Sequence, residues 1–238
     1  FTVEENMPFD KDVSLDPELL GKVFENLLAS YNPETQQTAR KQTGSFYTPR
    51  EIVQYMVDES LVTHLKRTVG NELESEYRKL LDYADNEILL TEQQKLAIMQ
   101  SLYNCKILDP ACGSGAFPVG VLQQMVHILK QIDPDNSRWK NMLLQFAIDE
   151  TSEAYLNSTA EERREAVADI ERAFDENVNY PDYARKLHLI ENCIYGVDIQ
   201  PIAIQISKLR FFISLVIDQK RNNNPADNFG IRPLPNLE

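Results

Sequence analysis

The chain is poor in cysteine, histidine and basic residues and has no long apolar run, and each shortage closes off a class of protein. Three cysteines among 238 residues, Cys105, Cys112 and Cys193, form an odd set without paired spacing. That excludes a disulfide framework and a cysteine zinc site and leaves an intracellular, cytoplasmic protein as the default. His64, His127 and His188 lie on or near helical patterns without metal-ligand spacing and read as structural. No apolar stretch approaches the roughly 20 residues of a membrane span. Lysine and arginine number 24 against 37 acidic residues, a net charge of −13, so this stretch lacks the clustered cations with which a protein by itself grips a phosphate backbone. Eight glycines and twelve prolines are too few for a low-complexity chain. What remains is 42% hydrophobic and 26% charged, the make-up of a folded domain long enough to bury a sizeable core.

The opening residues Thr2-Val3-Glu4-Glu5-Asn6 carry neither the basic start nor the apolar stretch of a secretory signal, and a chain beginning at Phe1 reads as an internal piece. Asp16-Pro17-Glu18 suits a helix start, and Leu19, Leu20, Val23, Phe24, Leu27 and Leu28 follow as one apolar stripe. Residues 31–41 are polar and aperiodic, predicting a loop that leads into Thr43-Gly44-Ser45-Phe46-Tyr47-Thr48-Pro49. Thr48 and Glu51 have capping-box spacing, with Pro49 just inside a helix that carries Ile52, Val53, Met56, Val57, Leu61, Val62 and Leu65. Residues 72–103 predict a helical hairpin with a second capping box at Thr91 and Gln94.

Cys105 to Asp109 reads as a short buried strand running into a tight glycine turn, and a helix is expected after it over about 116–132. Residues 133–187 read as polar and helical. Ile194 to Asp198 is a second short strand, followed by a helix from Pro201 whose apolar face takes in Ile202, Ile206, Leu209, Phe212, Ile213 and Val216. The expected division is a helical region over 1–103, with the 43–49 segment inside it, and an open α/β core over 104–238 interrupted by a helical insertion at about 133–187.

Asp109-Pro110-Ala111-Cys112-Gly113-Ser114-Gly115-Ala116-Phe117 is the most informative segment. Two glycines at a strand end let the backbone approach a ligand, and the next helix offers free N–H groups to a small carboxylate or phosphate. Asp109 stands where open α/β sheets bind their ligands and can accept a bond from an ammonium. The dinucleotide fingerprint is not met, because Pro118 stands where its third glycine or alanine belongs. A tight turn without a ligand explains this segment alone about as well. Asp198, ending the other strand, is placed to hold both hydroxyls of a ribose, and Ile199 to lie against an adenine face; a solvent-facing strand end is the plain alternative. Cys112 reads as a small buried hydrophobe.

Asp109 to Phe117 resembles the first S-adenosylmethionine motif of DNA adenine methyltransferases, Gly44 to Pro49 resembles their upstream motif, and Gly196-Val197-Asp198 their second. Over roughly Leu15 to Asp218 the chain is similar to type IIG restriction-modification enzymes, type I modification subunits and related phage-defence methyltransferases. The resemblance implies a Rossmann-like methyltransferase sheet, incomplete here, with S-adenosylmethionine as cofactor. Phe46, Tyr47 and Thr48 would wall the methionine end, Asp109 would meet its amino group, Pro110, Ala111, Cys112, Gly113, Ser114 and Gly115 would cradle it, Asp198 would hold the ribose and Ile199 the adenine. Ordinary core packing is the alternative for Phe46 and Tyr47, and a helix cap for Thr48.

One departure outweighs any match. Such enzymes carry Asn or Asp, two prolines and an aromatic residue at their fourth strand; Asn32-Pro33-Glu34 and Asn224-Pro225-Ala226 begin like it and go no further. That motif orients the adenine amine and stacks on the flipped base. The chain is therefore expected to be the cofactor-binding part of a longer enzyme, inactive alone, that meets duplex DNA and a specificity or restriction subunit or domain through regions outside it. Methylation of RNA or protein is a variant of this reading. A non-catalytic S-adenosylmethionine-binding or scaffolding subunit is the alternative from another class; a nicotinamide dehydrogenase is disfavoured by Pro118.

Overall fold

The computed structural model describes Val23, residues 31–32 and 37–38, and residues 48–149 and 158–232. Apart from Val23, which is helical and half exposed, the helix expected after Asp16 lies outside the described residues. Within the expected loop over 31–41, β1 (Tyr31–Asn32) and β2 (Gln37–Thr38) form a two-residue antiparallel ladder.

α1 (Arg50–Thr68) buries Val53, Val57, Leu61, Val62 and Leu65. Its start corrects the expected cap. Pro49 has ψ 144°, an extended conformation, so it occupies the N-cap position and Thr48 falls one residue outside, making no side-chain cap. The backbone alone closes the first turn, with Ile52 and Val53 N–H donating to the Pro49 carbonyl at 3.0 and 3.1 Å. Ile52 and Met56, expected on the apolar stripe, are about half exposed.

A 3-10 turn (Asn71–Leu73), α2 (Glu74–Leu81) and α3 (Glu92–Asn104) follow. Thr91 and Gln94 form the expected capping box, at 3.2 and 2.8 Å. A second box, Thr159 with Glu162, opens the helix that starts at Ala160. α4 (Ala116–Ile132) is the central helix: Met125, Ile128 and Leu129 are wholly buried, with Leu65 of α1, Leu80 of α2, Ile98 of α3, Trp139 of α5 (Ser137–Ile148) and Leu189 of α7 (Asp182–Asn192) in the same core. The α4–α5 turn is pinned by a buried carboxylate: Asp133 accepts the Trp139 N–H at 2.9 Å, and the buried Arg185 donates to the Asp133 carbonyl. α6 (Ala160–Ala173) lies on the outer side, with Ala173 its one buried residue.

β3 (Ile107–Asp109) and β4 (Ile194–Gly196) pair in parallel, Ile107 with Ile194, Leu108 with Tyr195 and Asp109 with Gly196. A parallel pair needs a long crossover, and α4 to α7 supply it. α8 (Pro201–Val216) then runs back along the core. Its inward face corrects the sequence reading: Ala203, Ser207, Arg210, Phe211, Ser214 and Leu215 are buried, whereas Ile202 and Leu209 are exposed. Both faces are rich in apolar side chains, so periodicity alone cannot choose between them. The described residues thus form a mainly helical protein with a small parallel sheet, consistent with a methyltransferase fold. No helix among them is long and apolar enough to cross a membrane.

Candidate functional site

Parallel pairing carries the two strand-end carboxylates to the same edge of the molecule. Beyond the ladder, the Val197 N–H donates to the Asp109 carbonyl at 2.9 Å and the Cys112 N–H to the Val197 carbonyl at 3.0 Å, so the glycine loop folds directly over the end of β4. Asp198 ties the two together: its Oδ2 accepts the Gly113 N–H at 2.9 Å and its Oδ1 the Gln200 N–H at 2.8 Å. Each oxygen keeps a further acceptor position, since an ionised carboxylate has about four.

Asp109 Oδ1 accepts the Ala111 N–H at 3.0 Å and shapes the first turn of the loop. Its Oδ2 is shut off from solvent and has no hydrogen-bond partner among the described residues. An acceptor left in that state costs about 1–3 kcal/mol. A ligand ammonium would satisfy it.

Gly113 and Gly115 have φ of +54° and +85°, the left-handed region that side-chain-bearing residues avoid. Gly115 also stands against α8, where an added Cβ would lie 2.4 Å from Ser207 Oγ; at Gly113 it would meet nothing within 4 Å. Gly115 is the N-cap of α4 and brings no side-chain cap. The first helical amides, Ala116 and Phe117, have no intrahelical partner by construction, and Pro118 has no N–H. This end of α4 is built to meet an acceptor from outside the helix.

Around this core, Pro110 and Ala111 are exposed, while Cys112 and Ser114 are buried. Burial, reinforced by the nearby Asp109 and Asp198, pushes the Cys112 thiol up to about 11, which keeps it protonated and unreactive. Ile199 is 85% exposed, an apolar side chain at the site's rim. Thr48 is half-buried; Phe46 and Tyr47 lie outside the described residues. Two clefts flank the strand end. One, of about 420 Å³, runs between α1 and β3 and is lined by Met56, Ser60, His64, Asp109 and Phe117. The other, of about 540 Å³, lies along β4 and α8 and includes Cys112, Tyr195, Val197 and Ser207. Thr48 lines neither cleft.

Sequence reasoning missed the α8 contribution. Arg210, 4% exposed, donates from Nη1 to the Ser114 carbonyl at 2.9 Å. The available signal was polar residues, Ser207, Arg210 and Ser214, at helical intervals in an otherwise apolar helix.

A glycine loop at the carboxyl end of one parallel strand, with an acidic residue at that end and another just past the neighbouring strand, stands where the class of open α/β sheets binds its ligands. Known proteins narrow the class. Residues 15–71 match the model of the N-6 DNA methylase family. The protein named "Putative type II restriction enzyme and methyltransferase" of Methanocaldococcus jannaschii is 27% identical over 240 aligned positions, which take in 96% of this chain and 16% of that protein's length. No solved structure matches the chain. These matches bear out the resemblance to adenine methyltransferases of the restriction-modification type.

Proposed function

We propose that the chain is the S-adenosylmethionine-binding portion of a DNA adenine methyltransferase, which transfers a methyl group to the exocyclic amine of adenine in a restriction-modification or defence system. The observation that carries this reading is the junction of Asp198 with the Gly113 amide beside the orphaned Asp109 Oδ2. One ligand bearing an ammonium at one end and a ribose at the other answers both carboxylates. In this reading Asp109 Oδ2 accepts the methionine ammonium, the backbone from Pro110 through Gly115 surrounds the amino-acid end, the open amides of α4 face its carboxylate, and the remaining acceptor positions of Asp198 take the ribose hydroxyls. Ile199 packs on adenine, and Phe46, Tyr47 and Thr48 close the methionine end. The cofactor, when bound, supplies an already activated methyl group, so the protein's task is alignment.

The Asn/Asp-Pro-Pro-aromatic motif is not in these 238 residues. Methyl transfer, contact with duplex DNA, and pairing with a specificity or restriction subunit or domain are assigned to the rest of a longer cytoplasmic enzyme. The missing tetrapeptide equally suits a non-catalytic S-adenosylmethionine-binding or scaffolding subunit; sequencing the parent gene for that tetrapeptide separates the two.

Calorimetric titration with S-adenosylmethionine tests the cofactor assignment. Replacing Asp198 by Ala removes the ribose acceptors and the Gly113 latch together and should weaken binding by about tenfold or more. Equal affinity of the wild type and Asp198→Ala would overturn the role of Asp198. Labelled-methyl transfer to duplex DNA by this chain alone would overturn the division of labour.

A further inference from the structure

We infer that Arg210 is a positioning residue for the glycine loop, acting from α8 through Ser114 without reaching the ligand; the inference rests on the S-adenosylmethionine reading above. α8 turns Ser207, Arg210 and Ser214 inward and leaves Ile202 and Leu209 exposed. Polar groups in a core are costly unless they are satisfied, so a helix that buries them in place of available isoleucine and leucine must gain something by it. Ser214 is satisfied within α8, its hydroxyl donating to the Phe211 carbonyl at 2.7 Å, whereas Ser207 and Arg210 face the loop.

Three consecutive loop residues each meet a group from the segment just after β4 or from α8, 85 or more residues later. The Gly113 N–H is held by Asp198, the Ser114 carbonyl by Arg210, and Gly115 by the close approach of Ser207. Within the Ser114–Gly115 peptide, the carbonyl is drawn toward α8 while the Gly115 N–H closes the turn on the Cys112 carbonyl at 2.8 Å. That fixes the plane of the last peptide before α4. Glycine adopts a positive φ without steric cost but loses the most freedom when frozen there. A loop with two such glycines is not held by its own sequence, and binding to an unformed loop must meet the ordering cost at the moment of association. Arg210, with a charged donor on Ser114, meets part of it beforehand.

The test uses the whole chain. Arg210→Met is expected to raise the dissociation constant for S-adenosylmethionine about tenfold and to speed amide exchange over 109–117 while exchange over 119–132 stays unchanged. Arg210→Lys keeps one donor and the charge and should hold affinity within about threefold of wild type. Wild-type affinity and loop exchange in Arg210→Met would overturn the inference. So would equal losses in both variants with faster exchange throughout α4, the behaviour of an ordinary core residue. If Arg210→Met does not fold, Arg210→Gln is measured in its place under the same criteria. If the wild type binds no S-adenosylmethionine, the cofactor reading fails, and loop exchange alone decides whether Arg210 braces the loop.

Discussion

The helical interior around α4 and the strand-end loop beside it are held together by different forces. In the interior, Leu129, Met125 and Trp139 are wholly buried and contribute through area removed from water and close packing, which is non-directional and tolerant of sequence. In the loop, position is set by single directional bonds: Asp198 to Gly113, Arg210 to Ser114, Val197 to Asp109. Both parts bury polar atoms without a partner among the described residues, Gln124 Oε1 and Trp139 Nε1 in the interior and Asp109 Oδ2 at the loop, but Asp109 also lines a cleft and Ile199 stands in solvent. Stability and ligand chemistry therefore occupy adjacent but separable parts of the molecule. The first should respond to lost volume, the second to lost geometry.

The largest expected effect breaks the interior. Leu129→Ala removes a fully buried side chain from the centre of α4 and should cost about 3–4 kcal/mol of unfolding free energy. Trp139, the only tryptophan, reports the transition by its fluorescence in urea. The fraction still folded should bind S-adenosylmethionine as the wild type does. A matching loss of affinity in that fraction would mean that interior and loop are not separable.

A smaller effect comes from acid. His188 stacks on Tyr103 at 4.7 Å and meets the Trp139 ring edge-on at 5.4 Å. Burial, with Lys106 nearby, lowers its pKa to about 4. The unfolded chain, with a histidine near the ordinary value of about 6.5, takes up a proton first as the pH falls. The stabilisation is therefore complete above that value and lost as pH drops toward 4, by at most about 3 kcal/mol. Urea unfolding at pH 7 and pH 4.5, compared between the wild type and His188→Phe, isolates this contribution from the carboxylates. If the two proteins lose stability in parallel, His188 is not carrying the pH dependence.

The same contrast explains what could be read from the sequence. α4 was legible to the residue because a strand, two glycines and a long apolar period announce it, and the capping box at Thr91 fixed the start of α3. Both parallel strands lie where they are expected, slightly shorter than expected, but the first is not the buried strand its apolar run predicts: in a ladder of only two strands Leu108 stays 61% exposed. The cap at Thr48 failed because a single backbone angle, the extended ψ of Pro49, moved the helix start by one residue. The face of α8 failed because Ile202 and Leu209 fit a core as well as Phe211 and Leu215 do, and the choice depends on what Ser207 and Arg210 meet. Those partners are distant in sequence, Ser114 being 96 residues from Arg210 and Gly113 being 85 from Asp198. Local pattern carries no information at that range.

The finest test compares the loop's two glycines with each other. Both have positive φ, so alanine at either position meets the left-handed penalty of about 1 kcal/mol. Gly113 opens on free space, and Gly113→Ala should stop at that cost. At Gly115 the new Cβ would stand 2.4 Å from Ser207 Oγ and 3.1 Å from its Cβ, so a short side chain fixed to α8 must move, or the loop must. Gly115→Ala should therefore cost about 2–3 kcal/mol and weaken S-adenosylmethionine binding far more than Gly113→Ala does. Urea denaturation and calorimetry on the two variants read both quantities. Equal effects would show that only the backbone angle matters and that α8 does not press on the loop. Unequal effects, reduced by adding Ser207→Gly to Gly115→Ala, would locate the specificity of this loop in the helix behind it.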